Sequence, residues 1–388
     1  MTGQGAIPAS PGGWEAARAV GRAVILPDAL FDGDTLARDT GLRVGADRAI
    51  PDRAGAGDLV WRVPGILSPG FVDLQVNGGG GVLFNTSPDQ AGLMAIARAH
   101  RTTGTTALLP TLITDAPEVM ERAAGAVLAC YGREGIAGIH LEGPHISLAR
   151  RGTHAARFVR PLDDHTLGIV ALLRQAGVPV MLTLAPEAVA PGQIAALVGQ
   201  GVIVALGHSD ATAAQTRAAL AEGAQTFTHL FNAMSQMQNR EAGVVGAAIN
   251  SMAYCSFICD GIHAAPEMLS LAIRARPVAD RMFLVSDAMP TVAGPDRFTL
   301  YGQTITVTDG RLVNSEGALA GAHVTMLRSA ELARSLLGLS DETVLRMAVS
   351  LPARLMGLES LARVEERPLH DLILIAPDFR SFSVPLVG

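Results

Sequence analysis

Eight short apolar runs, set apart by Ala- and Leu-rich stretches of helical texture, constrain this sequence more than any other feature. They cover residues 70–76, 106–110, 136–141, 178–184, 202–206, 226–230, 254–259 and 282–286. Helix-like segments at 88–101, 118–130, 211–222 and 266–274 separate most of them. Eight strands with intervening helices are the arithmetic of an α/β chain closed into a (β/α)8 barrel. Residues 234–248 show no helical period and read as loop. A Gly-rich excursion at 294–317 carries β-like residues, and helical texture returns from 326 to 356.

The two ends read differently. Residues 18–65 are short strands such as 23–26 and 42–44, broken by Gly, Asp and Pro turns, which suggests a small β unit. The tail, 369–387, is again strand-like. The expected organisation is a small β-sandwich built from residues 1–65 and 356–388, beside a catalytic barrel over 66–355. The opening residues 1–13, rich in Gly, Pro and Ala, are expected to be poorly ordered.

Composition narrows the function. The net charge is −6 over 388 residues, which argues against a general nucleic-acid binder. Cys130, Cys255 and Cys259 are too few and too irregular for a disulfide framework. No run is long and apolar enough to suggest a membrane span, and the first 20 residues lack a signal-peptide pattern. A soluble, cytoplasmic protein is expected. All 30 basic residues are Arg, so neither a lysine Schiff base nor a carboxylated lysine bridging two metals is available.

Catalytic groups of such barrels sit where strands end. The first run ends near Gln75 and Asn77, the third at Glu142 and the fifth at His208. The sixth ends at His229, the seventh at Asp260 and His263, the eighth at Asp287. Two His and one carboxylate make a three-ligand divalent site with an open position, so Glu142, His208 and His229 are the candidate ligands. An ion so held lowers the pKa of a bound water to about 7 and polarises a carbonyl. Asp287, on the same rim, is the candidate acid–base group. Singly each has a plainer reading: Glu142 as a cap, Asp287 in an Asx-turn, either His as a satisfied polar residue. One fold that puts all four on one rim favours the metal site. His140 reads as a support behind the ligands or as barrel filler, and His100, His165, His323 and His370 as structural or surface residues. The run Gly78-Gly-Gly-Gly81 lacks the Lys-Ser/Thr of a P-loop and reads as a tight loop.

A series of motifs follows in order: Pro69-Gly-Phe-Val-Asp-Leu-Gln-Val-Asn-Gly78, Gly104-Thr-Thr106, His140-Leu-Glu-Gly-Pro-His145, Leu184-Ala-Pro-Glu187 and Gly207-His-Ser209. It continues with Thr228-His-Leu-Phe-Asn-Ala-Met234, Asp260-Gly-Ile-His263, Val285-Ser-Asp-Ala288 and Leu319-Ala-Gly321. Across roughly 66–355 the chain resembles the N-acetylglucosamine-6-phosphate deacetylases of the amidohydrolase superfamily. The resemblance implies metal ligands at Glu142, His208 and His229 and the acid–base carboxylate at Asp287. It implies sugar contacts at His154 and at the loop Leu319, Ala320 and Gly321. Asn232, Ala233, Arg240 and His263 would hold the phosphorylated sugar, with Arg240 reaching across a homodimer interface. An Arg fork suits a phosphomonoester. The plainer readings are a surface ion pair for Arg240 and an internal bond to Asp260 for His263.

Many amidohydrolases open with His-x-His, which holds a second metal; here the pair is Gln75 and Asn77, and amides are poor zinc ligands. One divalent ion, zinc by preference, is therefore expected. The implied reaction is hydrolysis of the acetamide of N-acetylglucosamine 6-phosphate. The alternatives are an N-acetylgalactosamine phosphate, an N-acyl amino acid or a cyclic amide as substrate, or a non-catalytic sugar-phosphate binder.

Overall fold

The computed structural model describes residues 8–45 and 49–384. The expectation for residues 1–13 therefore falls, for 1–7, outside the described residues.

Eight parallel strands run in sequence order around the barrel. They are β1 (Phe71–Val76), β2 (Thr105–Ile113), β3 (Ile139–Glu142) and β4 (Val180–Leu184), then β5 (Ile203–Leu206), β6 (Thr226–Phe227), β7 (Tyr254–Phe257) and β8 (Met282–Leu284). Nearly every residue in them is buried, because side chains fill the interior and helices cover the outside. That two-sided burial explains why the runs read as continuous apolar stretches and not as alternating ones.

The helices start where side chains can satisfy their free amides. Asp89 and Asp163 accept from the third amide of the helices Gln90–Arg101 and Asp164–Gln175. Thr212 and Gln215 form a reciprocal capping box on Ala213–Ala221. The stretch 234–248, expected to be loop, contains part of the helix Gly243–Ile249. All seven of its residues are buried, so it has no polar face to reveal a helical period. The sixth and eighth strands end earlier than their apolar runs, because the chain turns sharply at His229 and Asp287.

Two further sheets share one apolar core. A four-stranded sheet orders Ala49–Asp52, Gly41–Val44, Ala23–Leu26 and Leu59–Arg62. A five-stranded sheet orders Phe382–Ser383, Leu372–Ile375, Ile66–Pro69, Ala29–Phe31 and Leu36–Ala37, so both ends of the chain contribute to it. Ile25, Leu42 and Trp61 from the first pack with Leu30, Leu67 and Leu374 from the second, which makes a small sandwich. Only Gly70 separates its strand Ile66–Pro69 from β1.

The excursion folds as three antiparallel strands, Arg297–Leu300, Gln303–Thr308 and Arg311–Leu312. Phe298, Leu300 and Ile305 pack on Leu83, Ile113 and Met289 at the mouth of the barrel. Tyr301 donates its hydroxyl proton to the carbonyl of Thr114, just beyond β2. This layer forms one wall over the strand ends.

Candidate metal centre

Glu142, His208 and His229 come from the ends of β3, β5 and β6, and all three are buried. Glu142 Oε1 lies 3.1 Å from His208 Nε2 and 2.9 Å from His229 Nε2, and the two nitrogens are 3.1 Å apart. His208 Nδ1 donates to the carbonyl of Arg150 at 2.9 Å, which fixes the ring with Nε2 aimed inward. Two imidazole nitrogens and a carboxylate oxygen crowded at these distances repel one another unless a proton or cation lies among them. With bonds of about 2.0–2.2 Å, the three fit one face of a tetrahedral zinc site. Burial would push the Glu142 carboxyl up, but its hydrogen bonds with His208 and His229 outweigh this and hold it well below the usual range.

Local backbone explains how these side chains reach one point. His208 has φ 47°, His229 φ 33° and Asp287 φ 51°, all in the left-handed region that non-glycine residues rarely adopt. Such conformations persist where surrounding packing over-determines them, and they cluster at functional sites. Gly207 is required just before His208, since a Cβ there would meet the Cβ of Thr228 at 2.9 Å.

Asp287 stands beside the ligand set, at the end of β8. Its Oδ1 accepts from Asn77 Nδ2 at 2.6 Å and from Gln75 Nε2 at 3.1 Å. Gln75 Nε2 also donates to Glu142 Oε1 at 3.0 Å. The Gln-x-Asn pair thus presents amide N–H groups to two carboxylates. Burial first, and then the charge of Glu142, push the Asp287 carboxyl up to about 6.

These groups open on a cavity of about 320 Å³. Glu142, His208, His229, Asp287 and Asn77 line it, as do His154, Asn232, Ala233, His263, Leu319 and Gly321. His154 Nδ1 bonds Thr114 Oγ1 at 2.7 Å, and burial holds the imidazole well below its ordinary pKa, hence neutral. His263 Nδ1 bonds Asp260 Oδ2 at 2.6 Å, while its Nε2 is buried without a hydrogen-bond partner among the described residues. Asp260 therefore orients His263 toward the cavity, so the internal bond and the binding role are compatible.

Two expected contacts fall elsewhere. Arg240 is exposed on the loop before Gly243–Ile249 and does not line this chain's own cavity. Ala320 is fully buried behind the wall, with its neighbours Leu319 and Gly321 facing the cavity. A Cβ at Gly321, which has φ 66°, would press on Met289 at 2.7 Å, so that turn excludes a side chain.

Two further histidines, His140 and His100, are accounted for by packing. His140 is buried, bonded to the carbonyl of Leu74 and to Thr183 Oγ1, and burial lowers its pKa to about 4. His100 is buried against the carbonyl of Gly78 at 2.9 Å. The amides of Gly78, Gly80 and Gly81 donate to the carbonyls of Ala288, Val292 and Pro290, so the glycine run grips the loop after β8 and has no free cradle for phosphate. Sequence reasoning missed Arg150 and Thr114, which orient His208 and His154. A backbone carbonyl leaves no sequence signal, and Thr114 is one buried Thr among several.

The amidohydrolase family model matches residues 66–386. The chain belongs to the amidohydrolase family. This amidohydrolase is 39% identical over 328 residues to the N-acetylgalactosamine-6-phosphate deacetylase of Shewanella sp. (strain ANA-3), covering 84% of this chain and 82% of that one. It is 32% identical over 330 residues to the N-acetylglucosamine-6-phosphate deacetylase of Haemophilus influenzae, covering 83% and 85%. The crystal structure of N-acetylglucosamine-6-phosphate deacetylase from Pasteurella multocida matches with a TM-score of 0.84 at 29% identity, over 93% of this chain and 99% of that one. That of the Mycobacterium smegmatis enzyme, a mutant in complex with N-acetyl-D-glucosamine-6-phosphate, matches at 0.83 and 31%, over 92% and 96%. The amidohydrolase barrel and its separate small sheets are thus common to these structures. Among the described residues no helix is long and apolar enough to cross a membrane.

Proposed function

We propose that this amidohydrolase removes the acetyl group of N-acetylglucosamine 6-phosphate, giving glucosamine 6-phosphate and acetate. The observation that carries the reading is the meeting of Glu142, His208, His229 and Asp287 at one cavity, in a chain whose relatives are named as deacetylases of amino-sugar phosphates.

Glu142, His208 and His229 would hold one divalent ion, with zinc preferred for a two-imidazole, one-carboxylate set. When bound, the ion supplies Lewis acidity toward water and the acetyl carbonyl. Asp287 takes the proton of the attacking water as its oxygen bonds to the acetyl carbon. It then delivers that proton to the sugar nitrogen as the C–N bond breaks. Gln75 and Asn77 keep Asp287 oriented through their amide donors and are too poor as ligands to hold a second ion. Neutral His154 offers Nε2 to a sugar hydroxyl or to the acetyl oxygen. His263, with Asn232, Ala233 and the turn Leu319–Gly321, receives the phosphorylated sugar.

Arg240 completes the phosphate site of a second copy in a homodimer. Its exposure outside its own cavity supports this assignment. A charged phosphate ester does not cross a bilayer core unaided, which supports a cytoplasmic compartment for this reading.

The 39% identity to an N-acetylgalactosamine-6-phosphate deacetylase favours a second reading, in which the C4 epimer is the preferred sugar. Acetate release by the zinc-loaded protein, with both 6-phosphates and unphosphorylated N-acetylglucosamine at equal concentration, separates the readings. Fast release from N-acetylglucosamine 6-phosphate alone supports the first. Preference for the galacto epimer replaces it with the second, and equal release with and without phosphate removes both.

A further inference from the structure

Asp287 stands at the seam where the barrel closes. The strands pair consecutively from β1 to β8, but among the described residues no ladder joins β8 back to β1. The seam is held by an isolated parallel bridge between Val76 and Ala288 and, beside it, by a side chain. Ser286 donates its amide to Asp73 Oδ1 at 3.2 Å and its hydroxyl to Asp73 Oδ2. The same Ser286 Oγ accepts the amide of Ala288 at 3.1 Å, bridging over the residue between. On the far side, the carbonyl of Ala288 accepts from the amides of Asn77 and Gly78 at 2.9 and 3.0 Å.

The residue so bracketed is Asp287, held at φ 51°, where an unrestrained Asp would seldom remain. Asp73 is fully buried in β1 and lies outside the residues that line the cavity, so it meets no substrate. Its Oδ1 also accepts the amide of Gln75 at 3.2 Å, which ties the same carboxylate to the residue that donates to Asp287 from the other strand. One buried carboxylate thereby sets both the backbone that carries Asp287 and the strand that carries its hydrogen-bond donors.

We propose that Asp73 is a positioning residue for Asp287, acting through the hydroxyl and amide of Ser286. The inference rests on the reading of Asp287 as the acid–base group. A displacement of about 1 Å in a reacting group can cost on the order of a hundredfold in rate. Loss of the clamp acts on the chemical step and leaves the ligand set and the sugar contacts in place.

The test uses the zinc-loaded full-length protein with Ser286→Ala, Asp73→Asn, the double variant, and Asp287→Asn in parallel. Steady-state acetate release is measured together with metal per chain. The expected result for each single clamp variant is kcat lower by roughly tenfold to a hundredfold, KM within about twofold, and unchanged metal content. Because the two residues form one link, the double variant falls no further than the worse single one. A general structural defect would instead move KM and metal content along with kcat, and that outcome overturns the proposal. So does kcat within about twofold of the parent in both single variants. Should Asp73→Asn fail to fold, Ser286→Ala, which deletes one hydroxyl, decides alone. An active Asp287→Asn would overturn the underlying reading itself; an inactive one beside fully active clamp variants would overturn only the clamp.

Discussion

Asn77 Nδ2 donates to Asp287 Oδ1 across 2.6 Å, joining the first barrel strand to the loop after the last. The bond stabilises the ionised carboxylate against the two influences that raise its pKa, burial and the neighbouring charge of Glu142. It gives the Gln-x-Asn pair a role of its own, since both amides donate to the Asp287 carboxylate.

Replacing Asn77 with Ala removes that donor. A hydrogen bond to a charged group is worth about 1.5–3 kcal/mol, so the Asp287 carboxyl rises by roughly one to two pH units. The acid limb of the kcat–pH profile moves up by the same interval, while activity recovers at high pH.

In the parent protein Asp287 must be ionised to accept a proton, so activity rises with pH through its pKa. That value is about 6 without the ion, and a bound cation lowers it further. The acid limb of kcat is therefore expected at or below about pH 6, with activity lost as pH falls through it. A limb centred well above pH 6 would show that another group limits the reaction.

Asp287→Asn keeps the shape and hydrogen-bonding capacity but removes the base. The expected loss in kcat is about 10²–10⁴-fold, with metal content near that of the parent. Elemental analysis beside single-turnover acetate release checks both halves.

Chelation should abolish turnover, and readdition of zinc should restore it. The ion binds the folded state alone, so its removal also lowers the midpoint of thermal unfolding, by an amount that grows with affinity. Glu142→Gln and His208→Ala should lose the zinc-dependent rise in that midpoint, which calorimetry measures without any substrate.

Arg240→Ala is expected to raise KM for the phosphorylated sugar by roughly tenfold or more, the scale of a lost charge-assisted hydrogen bond, with kcat little changed. If Arg240 serves the partner's cavity, mixed dimers of Arg240→Ala and Asp287→Asn regain activity at low substrate that neither variant shows alone. No recovery in verified mixed dimers would return Arg240 to the protein surface.

The barrel was legible because strands buried on both faces leave continuous apolar runs, and the candidate ligands because titratable residues stand at or near the ends of those runs. Glu142, His208, His229 and Asp287 could be assigned to one rim from order alone. Strand number and direction place each residue on that rim, and side-chain type supplies the chemistry. The helix Gly243–Ile249 could not be read, since burial on every side erases the period. Nor could the partners of the rim residues. Asn77 and Asp287 are 210 positions apart, Asp73 and Ser286 213, and no local pattern ties such pairs. Local sequence, through periodicity and residue type, determined which elements form and which groups can react. Tertiary structure decided which oxygen faces which donor, that Asp73 bonds Ser286 across the seam, that Arg240 lies outside its own cavity, and that His208, His229 and Asp287 stand in left-handed turns. These depend on barrel closure, which sets distances between strands far apart along the chain.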